Sequence, residues 1–290
     1  MFLNLCAGLD RIGIRYRVND FGYAKKNPDE LACIIGKPFM LDKIEWKNPI
    51  LFGAAVHSHP LDDPQLLQRL PIQKVLVPGP WMKEMCKPYW GNAVDIWPVG
   101  IDTDLWRPTD AAHKTLDVLL YDKVLWNHDY YDAALIEPIR AALRMRGRSV
   151  REIRYGYYRE QDFRAALGQC KSMIFLCEHE TQGIAYQQAL SCNVPILAWD
   201  RQGYWQDPDY YPDKVKFEPV TSVPYWDDRC GRTFKTIEEF APQWDAFWQD
   251  DRDGRFQPRD YILETLTLER SARHYLEFVH TLQHAEAAGR

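Results

Sequence analysis

No apolar run in this 290-residue chain approaches the ~20 residues that a membrane-spanning helix requires. A basic surface is missing too: 36 Lys and Arg stand against 41 Asp and Glu, for a formal net charge of −5, and no basic stripe stands out. That argues against a protein held to nucleic acid by phosphate contacts. The seven cysteines, at 6, 33, 86, 170, 177, 192 and 230, are scattered, odd in number and form no Cys-x-x-Cys. They fit reduced, mostly buried thiols rather than a disulfide framework. The opening residues MFLNLCAGLDRIG lack a basic leader and carry Asp10, which makes a poor signal peptide. Together these absences lead us to expect a soluble, cytoplasmic protein. No strand-like run is followed by Gly-x-Gly-x-x-Gly, so an NAD-dependent oxidoreductase fails on its own motif. Internal repeats and low-complexity tracts are absent as well.

What is present is ordinary globular material, 46% hydrophobic and 27% charged, at a length typical of two domains. The 11 Trp and 16 Tyr suit large core fillers and equally suit sugar-facing surfaces. The most informative stretch runs from Lys171 to Asp200. Met173 to Cys177 is a short apolar run that reads as a strand buried on both faces. A polar turn follows, Glu178-His179-Glu180-Thr181-Gln182, and Gly183 then starts a helix to about Cys192. Ile184, Ala185, Gln188 and Ala189 give that helix a small apolar side to lay on a sheet. Val194 to Trp199 reads as the next parallel strand. The polar turn therefore lies at the carboxyl end of a strand, where open α/β sheets put their ligands.

These residues resemble the donor-sugar signature of retaining glycosyltransferases of family 4, the "glycosyl transferases group 1" type, which have the GT-B architecture. The family pattern is Glu, two residues, Gly, four residues, Glu-Ala. Glu180 and Gly183 match it, and Gln188-Ala189 stands where the family has Glu-Ala. Asn193-Val194-Pro195-Ile196-Leu197-Ala198 resembles the family's Gly-Val-Pro-Val-Val-Ala. Upstream, Pro98-Val99-Gly100-Ile101-Asp102 with Trp106 and Pro108 resembles its interdomain Pro-Asn-Gly-Val-Asp-x-x-x-Phe-x-Pro. The resemblance implies an α/β fold of two Rossmann-like domains facing a cleft. It divides the chain into an acceptor-side domain over 1–106, a nucleotide-sugar donor domain over 107–265, and a terminal helix over 266–290 that packs back towards the first domain.

Along the first domain, Phe2 to Ile12 shows helical spacing, and Ile14 to Val18, Leu31 to Ile35, Ile50 to Ala55, Lys74 to Val77 and Val94 to Trp97 read as strands. Asp63 to Leu70 reads as a helix with Pro64 in its first turn. The opening strand and glycine turn of a Rossmann-like half are missing, which implies a start further upstream or a trimmed domain. His57 and His59 are either part of a solvated loop with one hydrogen-bonded ring, or one of them lies near the acceptor or the sugar. A metal pair lacks a third ligand cluster, and no metal site is expected. Pro78-Gly79-Pro80-Trp81 leads into a helix through Lys87, with Gly79 as a weak cap.

In the second domain, strands are read at Leu116 to Tyr121, Val150 to Tyr155 and Val215 to Glu218, and helices at Asp129 to Arg146, Glu160 to Gln169, Ile237 to Trp248 and Leu266 to Ala285. Pro138 is tolerated as a kink. Arg140, Arg144, Arg146 and Arg148 are read as a solvated face near a helix C-terminus. Residues 201–209 read as loops over the cleft.

By the resemblance, Lys123 neutralises the donor diphosphate, Glu180 accepts hydrogen bonds from the sugar hydroxyls and is catalytic, and His57 is a second catalytic candidate. Glu178, His179, Thr181, Gln182, Gly183, Ile184 and Gln188 complete the donor site. The helix start at Gly183 offers free N–H groups and a positive dipole end. A Gln at 188 accepts with its oxygen only, where a Glu would take both ribose hydroxyls. The implied partners are a nucleotide sugar, as co-substrate rather than cofactor, and a carbohydrate, lipid-linked or small-molecule acceptor. The alternative is a catalytically weak sugar- or nucleotide-binding relic of the same fold.

Overall fold

The structure, a computed structural model, describes residues 1–54 and 57–288. The chain divides into two compact units, Met1–Gly100 with Leu266–Arg290, and Ile101–Thr265. Each is built on its own parallel sheet.

The first unit opens with α1 (Phe2–Arg11) and the short α2 (Phe21–Lys26). Its sheet has β1 (Ala32–Ile34), β2 (Ile50–Gly53), β3 (Ile72–Val77) and β4 (Val94–Ile96) in spatial order of sequence, all parallel. A four-residue α3 (Leu66–Arg69) precedes β3, and α4 (Pro80–Trp90) follows it, entered through Gly79 with Pro80 in its first turn. Ile14 to Val18 is not a strand. Gly13 turns the chain in the left-handed region at φ +74°, and the charged stretch beyond it is exposed and joins no ladder. Ala55, the end of the expected second strand, lies outside the described residues.

The second unit has β5 (Leu116–Lys123), α5 (His128–Tyr131), α6 (Glu137–Met145), β6 (Val150–Arg154), α7 (Glu160–Gln169), β7 (Cys170–Cys177), α8 (Ile184–Ser191), β8 (Ile196–Trp199), β9 (Gly231–Phe234), α9 (Ile237–Arg252) and α10 (Pro258–Thr265). The strand order is β6-β5-β7-β8-β9, all parallel. One face of this sheet packs Leu120, Ile174, Leu176 and Leu197 against Ile136, Ile139, Phe240, Trp244 and Phe247. On the other face Tyr121 stacks on Phe175 at 5.7 Å, and Phe175 meets Tyr186 at 5.6 Å. These three rings are buried core filler.

Four expectations are corrected in this unit. The long helix carries a π-helical turn at Asp132–Ile136 directly ahead of Pro138, an irregularity in the helical ladder where a proline is accommodated. The arginines near it are not merely solvated: Arg140 pairs with Asp132, Glu137 and Glu152, Arg146 pairs with Asp245, and Arg148 lies 4.0 Å over the Trp248 ring. Val215 to Glu218 is not a strand, because β9 occupies the edge of β8 that it would need. The buried side of α8 carries Tyr186, Gln187, Ala189 and Leu190, while Ile184, Ala185 and Gln188 are only half-buried.

The terminal α11 (Leu268–Ala288) belongs to the first unit and packs on α1. Trp97 Nε1 donates to Ser271 O at 3.0 Å, and Ser271 Oγ donates to Pro98 O at 2.8 Å. At Gly8 a Cβ would lie 2.4 Å from Leu268 O and 2.9 Å from Ala272 Cβ. The helices meet closely because Gly8 has no side chain. Gly8→Ala is expected to destabilise the protein by roughly 1–3 kcal/mol, as overpacking of a tight contact does. Urea unfolding checks this, and a midpoint unchanged from wild type would contradict the close approach.

Candidate active site

β5 and β7 are parallel neighbours in register from Leu116 opposite Cys170 to Lys123 opposite Cys177. The pairing brings Lys123 and the turn after Cys177 to one end of the sheet, the carboxyl end at which such sheets bind ligands. There Lys123 Nζ forms a short ion pair with Glu180 Oε1, with side chains only 15% and 9% exposed. The ammonium also lies 4.6 Å over the Tyr155 ring. Burial opposes its charge, but the Glu180 carboxylate more than restores it, and the Lys123 pKa ends above the ordinary lysine value. Glu180 is further fixed by its own N–H, which donates to Thr221 O at 2.9 Å.

Glu178, 2% exposed, accepts from Leu125 N at 2.9 and 3.1 Å and from Trp126 N at 2.7 Å. Burial pushes its carboxyl pKa up, and those two N–H groups pull against it. Asp122, also buried, accepts from Val124 N at 3.0 Å and lies 2.7 Å from His128 Nε2. Three consecutive backbone N–H groups of the β5–α5 loop are thus engaged by two buried carboxylates. The Glu178 oxygens shape this loop. His179 stacks on Trp126 at 4.9 Å, and burial, helped by Arg201 and Lys123, pushes its pKa down to about 3.

Gln182 is buried and exchanges amide hydrogen bonds with Gln187: its Nε2 donates to Gln187 Oε1 at 3.0 Å, and Gln187 Nε2 donates to Gln182 O at 2.9 Å. Gly183 stands in the left-handed region at φ +86°, where a Cβ would lie 2.0 Å from Tyr186 Cε1. Only glycine fits. Ile184 opens α8, whose first N–H groups have no intrahelical partner. Thr181, Ile184 and Gln188 are half-buried around this helix start.

The structure therefore gathers Lys123, Glu178 to Ile184 and Gln188 in one unit, and His57 belongs to the other. His57 Nδ1 lies 3.8 Å from Asp62 Oδ2, and its Nε2 is enclosed without a hydrogen-bond partner among the described residues. Its neighbour His59 is buried, not solvated. His59 Nδ1 accepts from Leu61 N at 3.1 Å, its ring meets Tyr89 edge-on at 4.9 Å, and burial, opposed by Asp62, lowers its pKa. Among the described residues no group of three His, Cys, Asp or Glu side chains is arranged to hold a metal ion. No helix among them is long and apolar enough to cross a membrane.

Sequence reading passed over Asp122, Trp126, His128 and Thr221. Asp122 carried a usable signal, a charged residue ending an apolar strand. Thr221 carried none, because its role is a backbone carbonyl reached from forty residues away.

Two outcomes follow. The unfolded chain protonates His179 near pH 6.5, whereas the folded chain keeps it neutral down to about 3. Between those values the unfolded state binds more protons, so stability rises with pH and falls on acidification. From pH 7 to 5 the His179 share is about 2 kcal/mol, at 1.36 kcal/mol per unit over about 1.5 units. His179→Gln should flatten the melting-temperature profile over that window, and an unchanged slope would refute the buried neutral ring. Gly183→Ala should cost about 1–3 kcal/mol in thermal or chemical unfolding through strain and contact with Tyr186.

No protein-family model and no curated protein matches the chain. Solved structures do. Sucrose-phosphate synthase from Thermosynechococcus elongatus superposes with a TM-score of 0.58 at 12% identity, over 91% of this chain and 76% of that one. TarM gives 0.59 at 12% identity over 89% of this chain, which spans only 57% of TarM. The lipopolysaccharide outer core galactosyltransferase WaaB gives 0.50 at 11% identity, over 97% and 81%. With two parallel α/β units and these likenesses, the chain has the GT-B fold of glycosyltransferases.

Proposed function

We propose that this protein is a glycosyltransferase that moves a sugar from a nucleotide-sugar donor to an acceptor, with the donor held by the unit Ile101–Thr265. The observation that carries the reading is the buried Lys123–Glu180 pair beside the glycine-opened start of α8. The GT-B likeness to glycosyltransferases supports it.

The reaction breaks the bond between the sugar's anomeric carbon and the diphosphate and forms one to an acceptor oxygen. Negative charge grows on the leaving diphosphate and positive charge on the sugar ring. The Lys123 ammonium and the first N–H groups of α8 neutralise the leaving group. Glu180, oriented by Lys123 at its side, accepts hydrogen bonds from sugar hydroxyls. Gln188 addresses the ribose, and His57 of the first unit serves the acceptor or the sugar. His179, Thr181, Gln182 and Ile184 line the donor, and Glu178 holds the loop that borders it. By the family resemblance the transfer retains anomeric configuration, concerns a hexose and uses no metal. The nucleotide sugar is a co-substrate, and no other cofactor is invoked. The acceptor is a carbohydrate, a lipid-linked sugar or a small molecule.

One observation favours the relic reading: Lys123 and Glu180 satisfy each other without a donor. Turnover decides between the two. Glu180→Ala cuts transfer sharply in the enzyme, but it also strands the Lys123 charge, which in a buried pair costs about 3–5 kcal/mol. Glu180→Gln together with Lys123→Met removes both charges. We expect this double variant to melt closer to wild type than Glu180→Ala does while losing at least about a hundredfold in transfer rate, the scale of one electrostatic contribution. Retained turnover would remove Glu180 from the chemistry. Donor binding is checked by melting against UDP, GDP, ADP and their sugars. Ligand at a hundredfold over its dissociation constant adds about 2.7 kcal/mol, or roughly 2–4 °C for a unit of this size.

A further inference from the structure

Arg201 differs from the other cations at this end of the sheet. Lys123 is neutralised by Glu180, and Arg154 lies 4.0 Å from Asp122. Arg201 makes no carboxylate ion pair among the described residues. Its Nη1 donates to Tyr131 Oη at 3.1 Å and to Gln206 Oε1 at 2.7 Å, and its Nη2 donates to Tyr204 O at 3.3 Å. All three acceptors are neutral. Its Nε is enclosed and has no hydrogen-bond partner among the described residues. A half-buried guanidinium held in one orientation by neutral acceptors and lying 5.8 Å over the Trp199 ring, with no carboxylate in contact among the described residues, is favourably completed by an anion.

The register shows where that charge sits. Leu176 of β7 lies opposite Trp199 of β8. Two residues beyond that last pair stand Glu178 and Arg201, each just past the end of its strand. Arg201 acts electrostatically on both Glu178 and His179, so its charge reaches the turn that carries Glu180. Glu178 forms no contact ion pair with Arg201 among the described residues, and its oxygens accept from Leu125 and Trp126 N. The segment that follows is anchored back at the same place: Asp200 Oδ1 accepts from Ser222 N at 2.9 Å, and Thr221 O holds the Glu180 N–H. Arg201 is thus fixed on the rim rather than carried by a free loop.

We propose that Arg201 binds an oxyanion of the donor, either a phosphate of the diphosphate or the carboxylate of an acidic sugar. The fork of a guanidinium suits both through paired charge-assisted hydrogen bonds. The inference rests on the donor-site reading above and adds a residue outside the family-like motif.

The test is calorimetric titration of the full chain with inorganic pyrophosphate and, separately, with glucuronate and glucose. Wild type is expected to bind pyrophosphate or to prefer glucuronate over glucose. Arg201→Gln should weaken that binding by about tenfold or more, the scale of a lost charge-assisted hydrogen bond. A loss on pyrophosphate identifies the diphosphate as the source, and a loss confined to glucuronate identifies the sugar carboxylate. Arg201→Lys keeps the charge without the fork and should fall between wild type and Arg201→Gln, which also serves if the Gln variant misfolds. Arg229→Gln removes an equal charge from an arginine already paired with Asp227 and Glu264 and should change nothing. Unchanged affinity in a folded Arg201→Gln overturns the proposal while leaving the donor site standing. Failure of wild type to bind pyrophosphate, glucuronate or any nucleotide overturns both.

Discussion

The ion pair between Lys123 and Glu180 is the constraint on which the unit Ile101–Thr265 turns. Two charges withdrawn from water are costly, and neither would persist there alone. They meet because β5 and β7 are adjacent and in register, which puts the end of one strand beside the turn that follows the other. Around the pair, Tyr155 faces the ammonium and Thr221 anchors the backbone of Glu180. The result is a carboxylate that is buried and oriented before any ligand arrives. Such preorganisation is what electrostatic stabilisation of a transition state requires.

The same sheet end distributes its backbone donors unequally. In the β5–α5 loop, the N–H groups of Val124, Leu125 and Trp126 are engaged by Asp122 and Glu178. At α8 the entering residue is Gly183, with no side chain to cap the helix, and the first N–H groups have no intrahelical partner. In the proposed function, the donor's negative charge therefore goes to α8 and the neighbouring basic side chains rather than to the β5–α5 loop. Gly183 is indispensable for two reasons that coincide: its left-handed backbone and the Tyr186 ring beneath it.

In the first unit the last helix of the chain takes part in the same body as the first. Gly8 lets α1 approach the α11 backbone, and Trp97 and Ser271 join the end of the sheet to α11 through two hydrogen bonds. Residues 266–288 thus belong structurally with residues 1–100, although the chain has passed through the other unit between them.

Local patterning alone determined most of the parallel strands, the helix at Glu160–Gln169, and the strand–turn–helix unit around Glu180, because buried strands are short apolar runs and glycine marks the turn. The same patterning placed Lys123 at a strand end. It misread Ile14–Val18 and Val215–Glu218 as strands and passed over β9, since a strand exists only where a neighbouring edge is free to receive it. It also chose the wrong side of α8, where Tyr186 rather than Ile184 faces the core. Tertiary structure alone decided that Lys123 meets Glu180, that Glu178 closes on a loop fifty residues earlier, and that Arg201 makes no carboxylate ion pair among the described residues. Each of these depends on which strand lies beside which, and charge pairing across a sheet end leaves no trace in linear spacing.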